Sequence, residues 1–336
     1  MGADSPVPIQ EGALRKIEGR RAAAARGARI CRPYRISQAS MISSALRYFF
    51  QVANCGSVTS AAEVLHVAPS AISRQIQSLE QKHGTALFER NARGMRLTEA
   101  GEILAAYVRR AMLESERVSE EISARSRLGR SSVRIAANEG FGREFIPHAI
   151  GEFRKAAPEV TFDMRLVRRS DVRKAVMLGE VDLGMAYNML PTEGVDVIFS
   201  QSAPLYAVMS PTHPLARREI LSLHDLAAHD VVMSGADSST RTLVDYCCMR
   251  ARIELNYVFI SDYSGALQHY IRDYQAITLA GKLVVWYAIE RGDVVAVPLT
   301  DSDIYERMVQ IYTMQGRQLP HSVQKFAQLL IEMASR

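Results

Sequence analysis

The feature that most constrains the fold is a pair of short predicted helices that only three residues separate. Apolar residues recur at helical spacing over 58–65, and Ser57 is well placed to cap that helix. The second helix opens at Pro69, where proline suits the first turn because its missing N–H would have no partner there. Residues 66–68 leave room only for a tight turn, so the pattern predicts a helix-turn-helix.

Apolar positions extend this pair on both sides. A preceding helix is predicted from Ser44 to a stop at Cys55-Gly56, and the helix that opens at Pro69 runs to about residue 82 before Gly84 ends it. The small residues at 61 and 62 allow the helices to cross closely. The expected core residues are Leu46, Phe49, Phe50, Val52, Ala53, Ala61, Ala62, Leu65, Ile72, Ile76 and Leu79.

The outer face of the second helix offers hydroxyl, guanidinium and amide groups, which can hydrogen-bond base edges and phosphates in a major groove. Beyond Gly84, the turn-forming residues Asn91 and Gly94 predict a two-stranded wing whose arginines approach phosphates or the minor groove. Any small helical bundle also has polar outer faces, so this spacing alone leaves a plain bundle open. The candidate DNA-binding residues are Ser57, Ser70, Ser73, Arg74, Gln75, Arg90, Arg93 and Arg96.

Charge is distributed unevenly along the 336 residues. The first 40 residues carry a net charge of +5, residues 41–97 carry +3, and residues 132–336 carry −3. This split predicts one module that faces a polyanion and a second module with another task. Residues 1–40 are interpreted as a disordered extension, or as residues that precede a start at Met41; an arginine-rich arm that binds DNA or RNA is the alternative.

Several classes of protein are excluded by composition. No run of 18 apolar residues occurs, so we expect no membrane span. Four cysteines are too few for a disulfide framework or a CxxC zinc site, and they fit a cytoplasmic location. No metal or cofactor is expected, because the eight histidines lack ligand spacing and the common catalytic and nucleotide-binding motifs are absent. Cys247 and Cys248 are interpreted as packing thiols, with a redox switch as the alternative.

A long helix is predicted over 98–127, with Thr98 as its cap and a glycine only near its start. Apolar and small residues alternate along it by four and three positions, which is the period of a coiled-coil seam. A helix packed on its own domain is the alternative. A hinge is expected at 128–132. The expected seam residues are Leu104, Val108, Ala111, Ser115, Val118 and Ile122.

The rest of the chain alternates short β-rich runs with amphipathic helices, which favours parallel α/β sheets. The predicted strands cover 133–137, 160–167, 183–187, 205–209, 231–233, 257–260, 276–279, 294–297 and 308–313, and the predicted helices cover 141–156, 171–178, 240–250, 265–271, 282–290 and 322–334.

The motifs LRYF, GSVTSAAEVL, SAISRQIQSLE, LFER and LTEAG, in this order over about sixty residues, resemble the winged helix-turn-helix of LysR-type transcriptional regulators. One departure is Ala68, where many members have glutamine before the recognition helix. The stretch GEVDLGMAY and the later order of elements extend the resemblance. It implies an α+β multi-domain protein: a winged helix-turn-helix at 41–97, a dimerising helix and hinge at 98–131, and a two-lobed effector domain of the periplasmic-binding-protein type at 132–336.

Within that domain, the resemblance implies a first lobe at about 132–203 and 301–336 and a second lobe at about 204–300. Candidate effector contacts lie where strands end and helices begin, because unpaired N–H groups there favour anions; each Ser or Thr can instead be an ordinary cap. An inward Glu139 would disfavour a simple carboxylate. The candidates are Asn138, Glu139, Gly140, Ser170, Ser238, Ser239, Thr240 and Ser264.

The expected function is therefore a cytoplasmic, sequence-specific transcriptional regulator and not an enzyme. The implied partners are double-stranded DNA with an inverted-repeat promoter site, a small-molecule effector such as an organic acid or amino acid, and further copies of the chain in a homodimer or homotetramer; RNA polymerase is a further candidate. Two alternatives remain: a small-molecule-binding module or enzyme with an incidental helical N-terminus, and an architectural DNA binder without a ligand.

Overall fold

A computed structural model describes residues 41–91, 94–125, 131–188, 193–236, 238–301, 304 and 307–335. The predictions for residues 1–40 and for Arg93, and most of the predicted hinge, lie outside the described residues. The chain forms two compact units, divided between Glu116 and Arg117. Along the described parts of the chain, no helix is both long and apolar enough to cross a membrane.

The first unit is a three-helix bundle with a wing, as the sequence predicts. Gly56 and Gly84 end the first and third helices in the left-handed conformation, and Pro69 occupies the first turn of the third. Phe49, Ala61, Ile72 and their neighbours form one buried core, so the predicted apolar faces meet. The elements are helices α1 (Ser44–Cys55), α2 (Val58–Leu65) and α3 (Pro69–His83), and strands β1 (Phe88–Asn91) and β2 (Gly94–Leu97).

Helix α4 (Glu99–Arg125) follows the wing, and the predicted cap is present, since Thr98 Oγ1 accepts the Gly101 N–H at 3.0 Å. The predicted seam is only partly exposed. Val108 is completely buried in the core of its own unit, and Leu104 packs against the same core. A 3.5-residue period shows that one stripe of a helix is apolar, but it does not show which surface covers that stripe. At Leu104 and Val108 the helix packs on its own domain, which is the alternative given above.

The second unit contains two lobes, each with a five-stranded sheet. The first lobe contains β3 (Ser132–Ala137), α5 (Glu139–Arg143), α6 (Phe145–Ala156), β4 (Thr161–Leu166), α7 (Arg169–Met177), β5 (Leu183–Asn188), β6 (Val195–Ser202), β12 (Met308–Met314) and α12 (His321–Ala334). The second lobe contains β7 (Leu205–Met209), a 3-10 helix (Pro214–Arg217), α8 (Leu223–Leu226), β8 (Asp230–Met233), α9 (Ser239–Ala251), β9 (Asn256–Ile260), α10 (Ser264–Asp273), β10 (Ala276–Gly281), α11 (Lys282–Glu290) and β11 (Val295–Pro298).

Each sheet is mixed, which corrects the expectation of parallel sheets. The first-lobe order is β4-β3-β5-β12-β6, in which β12 is antiparallel to both neighbours. The second-lobe order is β11-β7-β10-β8-β9, in which β7 is antiparallel to β10 and β11. The antiparallel strands β7 and β12 are the first strands that the chain forms after each crossing between the lobes. The alternation of strands and helices in the sequence does not indicate that the strand direction reverses there.

Two further local predictions are corrected. The predicted helix 141–156 is two helices, because Glu144 leaves the helical region at φ −130° between α5 and α6. Strand β6 was not predicted: it lies at a sheet edge with mostly exposed side chains, so it lacks a buried apolar run. The crossings between lobes meet at one point, since the Ala203 N–H donates to the Arg307 carbonyl at 2.8 Å.

Candidate functional site

The candidate DNA-binding face of α3 is polar and open. Ser70, Arg74 and Gln75 are exposed and Ser73 is half-buried. The opposite side of the helix is anchored in the core by Ile72 and its apolar neighbours. The Arg74 Nε lies 3.4 Å from the Ser70 carbonyl, so the guanidinium lies along the first turn of its own helix. This face can present a charged fork and hydroxyl groups to a groove.

Ser57 caps a helix, and this role is compatible with the predicted contact of Ser57 with DNA. Its side chain accepts the Ser60 N–H at 3.4 Å and so caps α2. A hydroxyl that accepts through one lone pair keeps its own proton for donation. Ser57 is half-buried at the start of the helix, where a phosphate would also meet the positive end of the helix dipole.

The wing places its two described arginines on opposite faces. Arg90 lies opposite Met95 in the ladder, whereas Arg96 lies opposite Glu89. Because directly paired residues share a face and neighbours along a strand alternate, Arg90 and Arg96 point to different sides. Both are exposed. One wing therefore offers one described arginine to each side rather than a cluster.

The position of the wing is fixed from α3. Glu80 Oε1 accepts the N–H of Leu87 at 2.9 Å and of Phe88 at 3.4 Å, which ties α3 to the first wing strand. At the other end, Thr98 Oγ1 donates to the Ala86 carbonyl at 2.7 Å. The Glu80 bonds therefore fix β1 relative to α3, and the Thr98 bond joins the residue after β2 to the segment before β1.

In the second unit, the structure brings the two predicted loops around Glu139 and Ser264 together. Glu139 Oε2 accepts the Ser264 N–H at 3.2 Å, from the first lobe to the second. Gly140 packs closely beside this bond, because a Cβ there would lie 2.9 Å from a methyl carbon of Val284. Glu139 thus points towards the second lobe, where its carboxylate meets the N-terminus of α10.

Asn138 lies just behind this contact. Its side-chain oxygen accepts the Tyr187 N–H at 3.3 Å, and its own N–H donates to the Met185 carbonyl at 3.3 Å. The amide therefore joins the ends of β3 and β5 and does not cap α5. Its effect on a ligand would act through the position of Tyr187.

The predicted residues of α9 divide into two roles. Ser238 is the N-cap, and its Oγ accepts the Arg241 N–H at 3.0 Å and lies 2.6 Å from Ser234 Oγ. Ser239 is the first helical residue. Thr240 Oγ1 instead accepts a hydrogen bond from Arg307 Nη1 at 3.1 Å, so it faces the crossing between the lobes.

Ser170 was expected immediately before a helix. It lies inside α7, whose N-cap is Arg168, and its side chain is exposed. The helix begins two residues earlier than predicted, and it has no side-chain cap that would mark its start in the sequence. Helix α7 packs on the strands of its own lobe.

Arg307 is the residue that sequence reasoning missed. It is completely buried, and its guanidinium carbon lies 3.9 Å above the ring of Tyr187. Its Nε donates to the Ala203 carbonyl at 2.9 Å. Burial lowers the pKa of Arg307 to about 10, so the side chain remains charged at neutral pH. Burial raises the pKa of Tyr187 to about 12, so the phenol keeps its proton.

The sequence contained one signal for this residue. A single arginine stands directly before the buried strand predicted at 308–313, where the chain crosses back to the first lobe. A cation at the start of a buried strand needs a buried partner or a ligand. Arg307 precedes a strand and not a helix, so the pattern of strand ends followed by helix starts does not mark it.

A separate cavity of about 170 Å³ is lined by residues of α5, α10 and the end of α11, among them Arg143, Gln268, Arg272 and Arg291. All three of these arginines have carboxylate neighbours: Arg291 lies 2.9 Å from Asp293, Arg272 lies 3.2 Å from Asp273, and Arg143 lies 3.3 Å from Glu144. Its charge is therefore largely balanced. Within the described ranges, no group of three His, Cys, Asp or Glu side chains could hold a metal ion.

Comparisons with known proteins agree with this architecture. YybE of Bacillus subtilis, an HTH-type transcriptional regulator, is 24% identical over 286 residues, which are 85% of this chain and 97% of YybE. A full-length OxyR variant from Pseudomonas aeruginosa has a similar fold, with a TM-score of 0.59 at 18% identity, covering 87% of this chain and 94% of OxyR. CbnR in complex with its target DNA aligns with a TM-score of 0.51 at 20% identity, covering 86% and 98%.

Family models match both units. Residues 43–102 match the bacterial regulatory helix-turn-helix protein of the lysR family, and residues 126–335 match the LysR substrate binding domain. The second match alone covers more than half of the chain. The two matches assign DNA binding to the helix-turn-helix and recognition of a small molecule to the two-lobed region, and they identify a regulator and not an enzyme. The chain belongs to the LysR family of bacterial transcriptional regulators.

Proposed function

We propose that α3 enters the major groove of an inverted-repeat promoter site and that Arg74 and Ser73 read its bases. The observation that carries this proposal is the exposed polar face of α3 opposite its buried apolar anchor. Ser70 and Gln75 extend the same face. Ser57 and the wing arginines, including Arg93, would contact phosphates and set the register.

The proposed boundaries follow the sequence: an extension at 1–40, the DNA-binding domain at 41–97, the dimerising helix and hinge at 98–131, and the effector domain at 132–336. Exposed apolar side chains on α4 support a role for this helix in joining subunits. Ile103 is 69% exposed, Tyr107 54% and Ile122 62%. We propose that this stripe, rather than Val108, meets a second copy in a cytoplasmic homodimer or homotetramer, which presents one recognition helix to each half-site.

The effector is proposed to bind between the two lobes and to act by a population shift. This proposal is supported by Glu139, Gly140, Ser264 and Thr240, which lie at contacts between the lobes or at their crossing; Asn138, Ser170, Ser238 and Ser239 remain predicted contacts. A ligand that prefers one degree of closure changes how subunits pack, and thereby the bend of bound DNA or its contact with RNA polymerase. Linkage then requires operator DNA to change effector affinity by the same factor.

The test of DNA reading is a gel-shift titration of the full-length protein on a fragment of its own upstream region. Arg74→Ala combined with Ser73→Ala should weaken specific binding at least about tenfold, because a good base contact contributes about 1–3 kcal/mol. The matched control is Gln81→Ala, an exposed residue in the last turn of the same helix. Unchanged promoter binding by the folded double variant contradicts the proposal.

A salt series separates base reading from phosphate contact. Arg90→Ala and Arg96→Ala should weaken specific and nonspecific binding alike, and each should lower the slope of log affinity against log salt by about one for every lost phosphate contact. The double variant of α3 should instead lose discrimination between the specific fragment and a scrambled one. Circular dichroism of each variant confirms that the bundle is folded.

A further inference from the structure

Arg307 is a buried cation that has no carboxylate partner among the described residues. Its guanidinium contacts a backbone carbonyl, the hydroxyl of Thr240 and the face of the Tyr187 ring. None of these carries a full negative charge. An uncompensated buried charge costs several kcal/mol, so its presence indicates that an anion completes the site in another state of the protein.

Two polar atoms next to each other in this site lack hydrogen-bond partners. Arg307 Nη2 and the Tyr187 hydroxyl are both buried without a partner in the described structure. Both atoms lie beside Gly281. A Cβ at this position would lie 2.8 Å from the Tyr187 oxygen and would collide with Arg307 Nη2. Glycine at 281 is what allows the two donors to reach this point.

A helix N-terminus adds to the same positive field. Gly281 is the N-cap of α11, a helix of nine residues, and it supplies no side-chain cap. The first N–H groups of a helix and its dipole favour an anion beside them. The guanidinium, the phenol and the start of α11 are therefore three groups of different origin that all favour negative charge at one place.

We infer that the effector is a small organic monocarboxylate whose carboxylate group is held by Arg307 Nη2 and the Tyr187 hydroxyl at the crossing between the lobes. This rests on the proposed function, in which an effector binds between the lobes. One carboxylate balances one guanidinium, whereas a sulfate or phosphate dianion would leave a buried charge unbalanced. The ring of Phe141 packs 4.4 Å from that of Tyr187 and so helps to hold the phenol in place.

The Glu139 carboxylate does not oppose this assignment. It accepts the Ser264 N–H at the start of α10, a different helix from the one beside Arg307. Its negative charge is thus met by another N-terminus, and Arg307 keeps its own charge for a ligand.

The test uses thermal unfolding of the full-length protein at constant ionic strength. The probes are sodium acetate, propionate, butyrate, pyruvate and benzoate, their uncharged amides, and sodium sulfate. At least one carboxylate should raise the unfolding temperature while its amide and sulfate do not. The affinity of the protein for that carboxylate should fall at least about tenfold in Arg307→Gln, as expected for loss of a buried charge-assisted hydrogen bond. In Tyr187→Phe it should fall about threefold to tenfold.

Tyr312→Phe is the matched control for the phenol. Tyr312 is also buried with an unpartnered hydroxyl, but it packs against Gly184 and Val176 of the first lobe. This variant should respond to the carboxylate as the wild type does. If Arg307→Gln fails to fold, the comparison of Tyr187→Phe with Tyr312→Phe still decides the matter.

Three results would overturn the inference: no carboxylate shifts the wild type, sulfate or the amides shift it equally, or the Arg307 and Tyr187 variants respond unchanged. In each case, if the same wild-type preparation still binds the upstream fragment specifically, only the carboxylate inference fails and the proposed function as a regulator stands. Loss of that DNA binding in the wild type would instead be a failure of the proposed function.

Discussion

The Glu139 carboxylate accepts the backbone N–H of Ser264 across the two lobes, with 3.2 Å between oxygen and nitrogen. Glu139 begins α5 in the first lobe and Ser264 begins α10 in the second. The bond joins the lobes directly and places a negative charge at the positive end of α10. It therefore favours the closed arrangement of the cleft.

Removing this bond should increase opening between the lobes. In Glu139→Ala, we expect faster amide hydrogen exchange in a peptide that includes Ser264, with the bond contributing about 1 kcal/mol to closure. Glu139→Gln keeps an acceptor at the same length and should lose less than half of this protection. Exchange that is the same in Glu139→Ala as in the wild type would show that the contact does not hold the lobes together.

Asp182 holds the first lobe together through two arginines. Its Oδ1 lies 2.9 Å from Arg134 and 2.7 Å from Arg317, and its side chain is only 2% exposed. Burial acts to raise the pKa of Asp182, but the two guanidinium groups outweigh it and hold that pKa below the usual 3.8. Asp182→Asn removes the negative charge that the guanidinium groups of Arg134 and Arg317 share. We therefore expect the unfolding free energy, measured by urea titration, to fall by about 3 kcal/mol.

The pH dependence of this loss follows from the sign of the shift. Because the folded-state pKa of Asp182 is depressed, its contribution is complete above the unfolded-state pKa of about 3.9 and disappears as the pH falls through the folded-state value. The difference between wild type and Asp182→Asn should therefore be constant from about pH 5 to 8 and shrink below about pH 4. Asp163→Asn, whose carboxylate is 57% exposed, should cost under about 0.5 kcal/mol throughout.

Sequence reasoning succeeded where the physical signal was local. The glycine stops, Pro69 and the apolar period predicted α1 to α3 to within a residue or two, because caps and periodicity act over a single turn. It did not find Arg307, since the site of Arg307 is created by the return of the chain to Ala203 over a separation of 104 residues. It placed Val108 on a subunit seam because periodicity carries no information about the covering surface.

Gly94 should be far less replaceable than Gly84, although both have positive φ. Gly94 has φ +119°, and a Cβ there would collide with the Gly56 carbonyl, which accepts the Met95 N–H at 2.8 Å. Gly84 has φ +67° with nothing within 4 Å of a Cβ. We expect Gly94→Ala to cost at least about 2 kcal/mol and Gly84→Ala about 1 kcal/mol.

The measurement that separates them is hydrogen exchange of the wing in the full-length protein, together with DNA affinity. Gly94→Ala should expose wing amides and weaken promoter binding, because it forces the wing away from the turn at Gly56. Gly84→Ala should leave both nearly unchanged. Equal behaviour of the two variants would mean that backbone conformation alone, without the collision, determines the cost.

Cys248 should be unreactive in the folded protein, which disfavours a redox switch at the Cys247-Cys248 pair. Both side chains are buried in α9. Burial, with the nearby carboxylates of Asp245 and Asp301, raises the pKa of the Cys248 thiol to about 11. At pH 8 only about one molecule in a thousand would carry the reactive thiolate at this position.

We expect iodoacetamide to label Cys248 at least about 100-fold more slowly in the native protein than in urea, measured for each cysteine by peptide mass spectrometry. Met249→Cys is the matched control, because residue 249 is the next position on the same helix and its side chain is 70% exposed. The thiol at 249 should be labelled rapidly under native conditions. Equally rapid labelling of Cys248 at pH 8 would show that α9 opens readily, and the pair would then have the access and the thiolate that a redox switch requires.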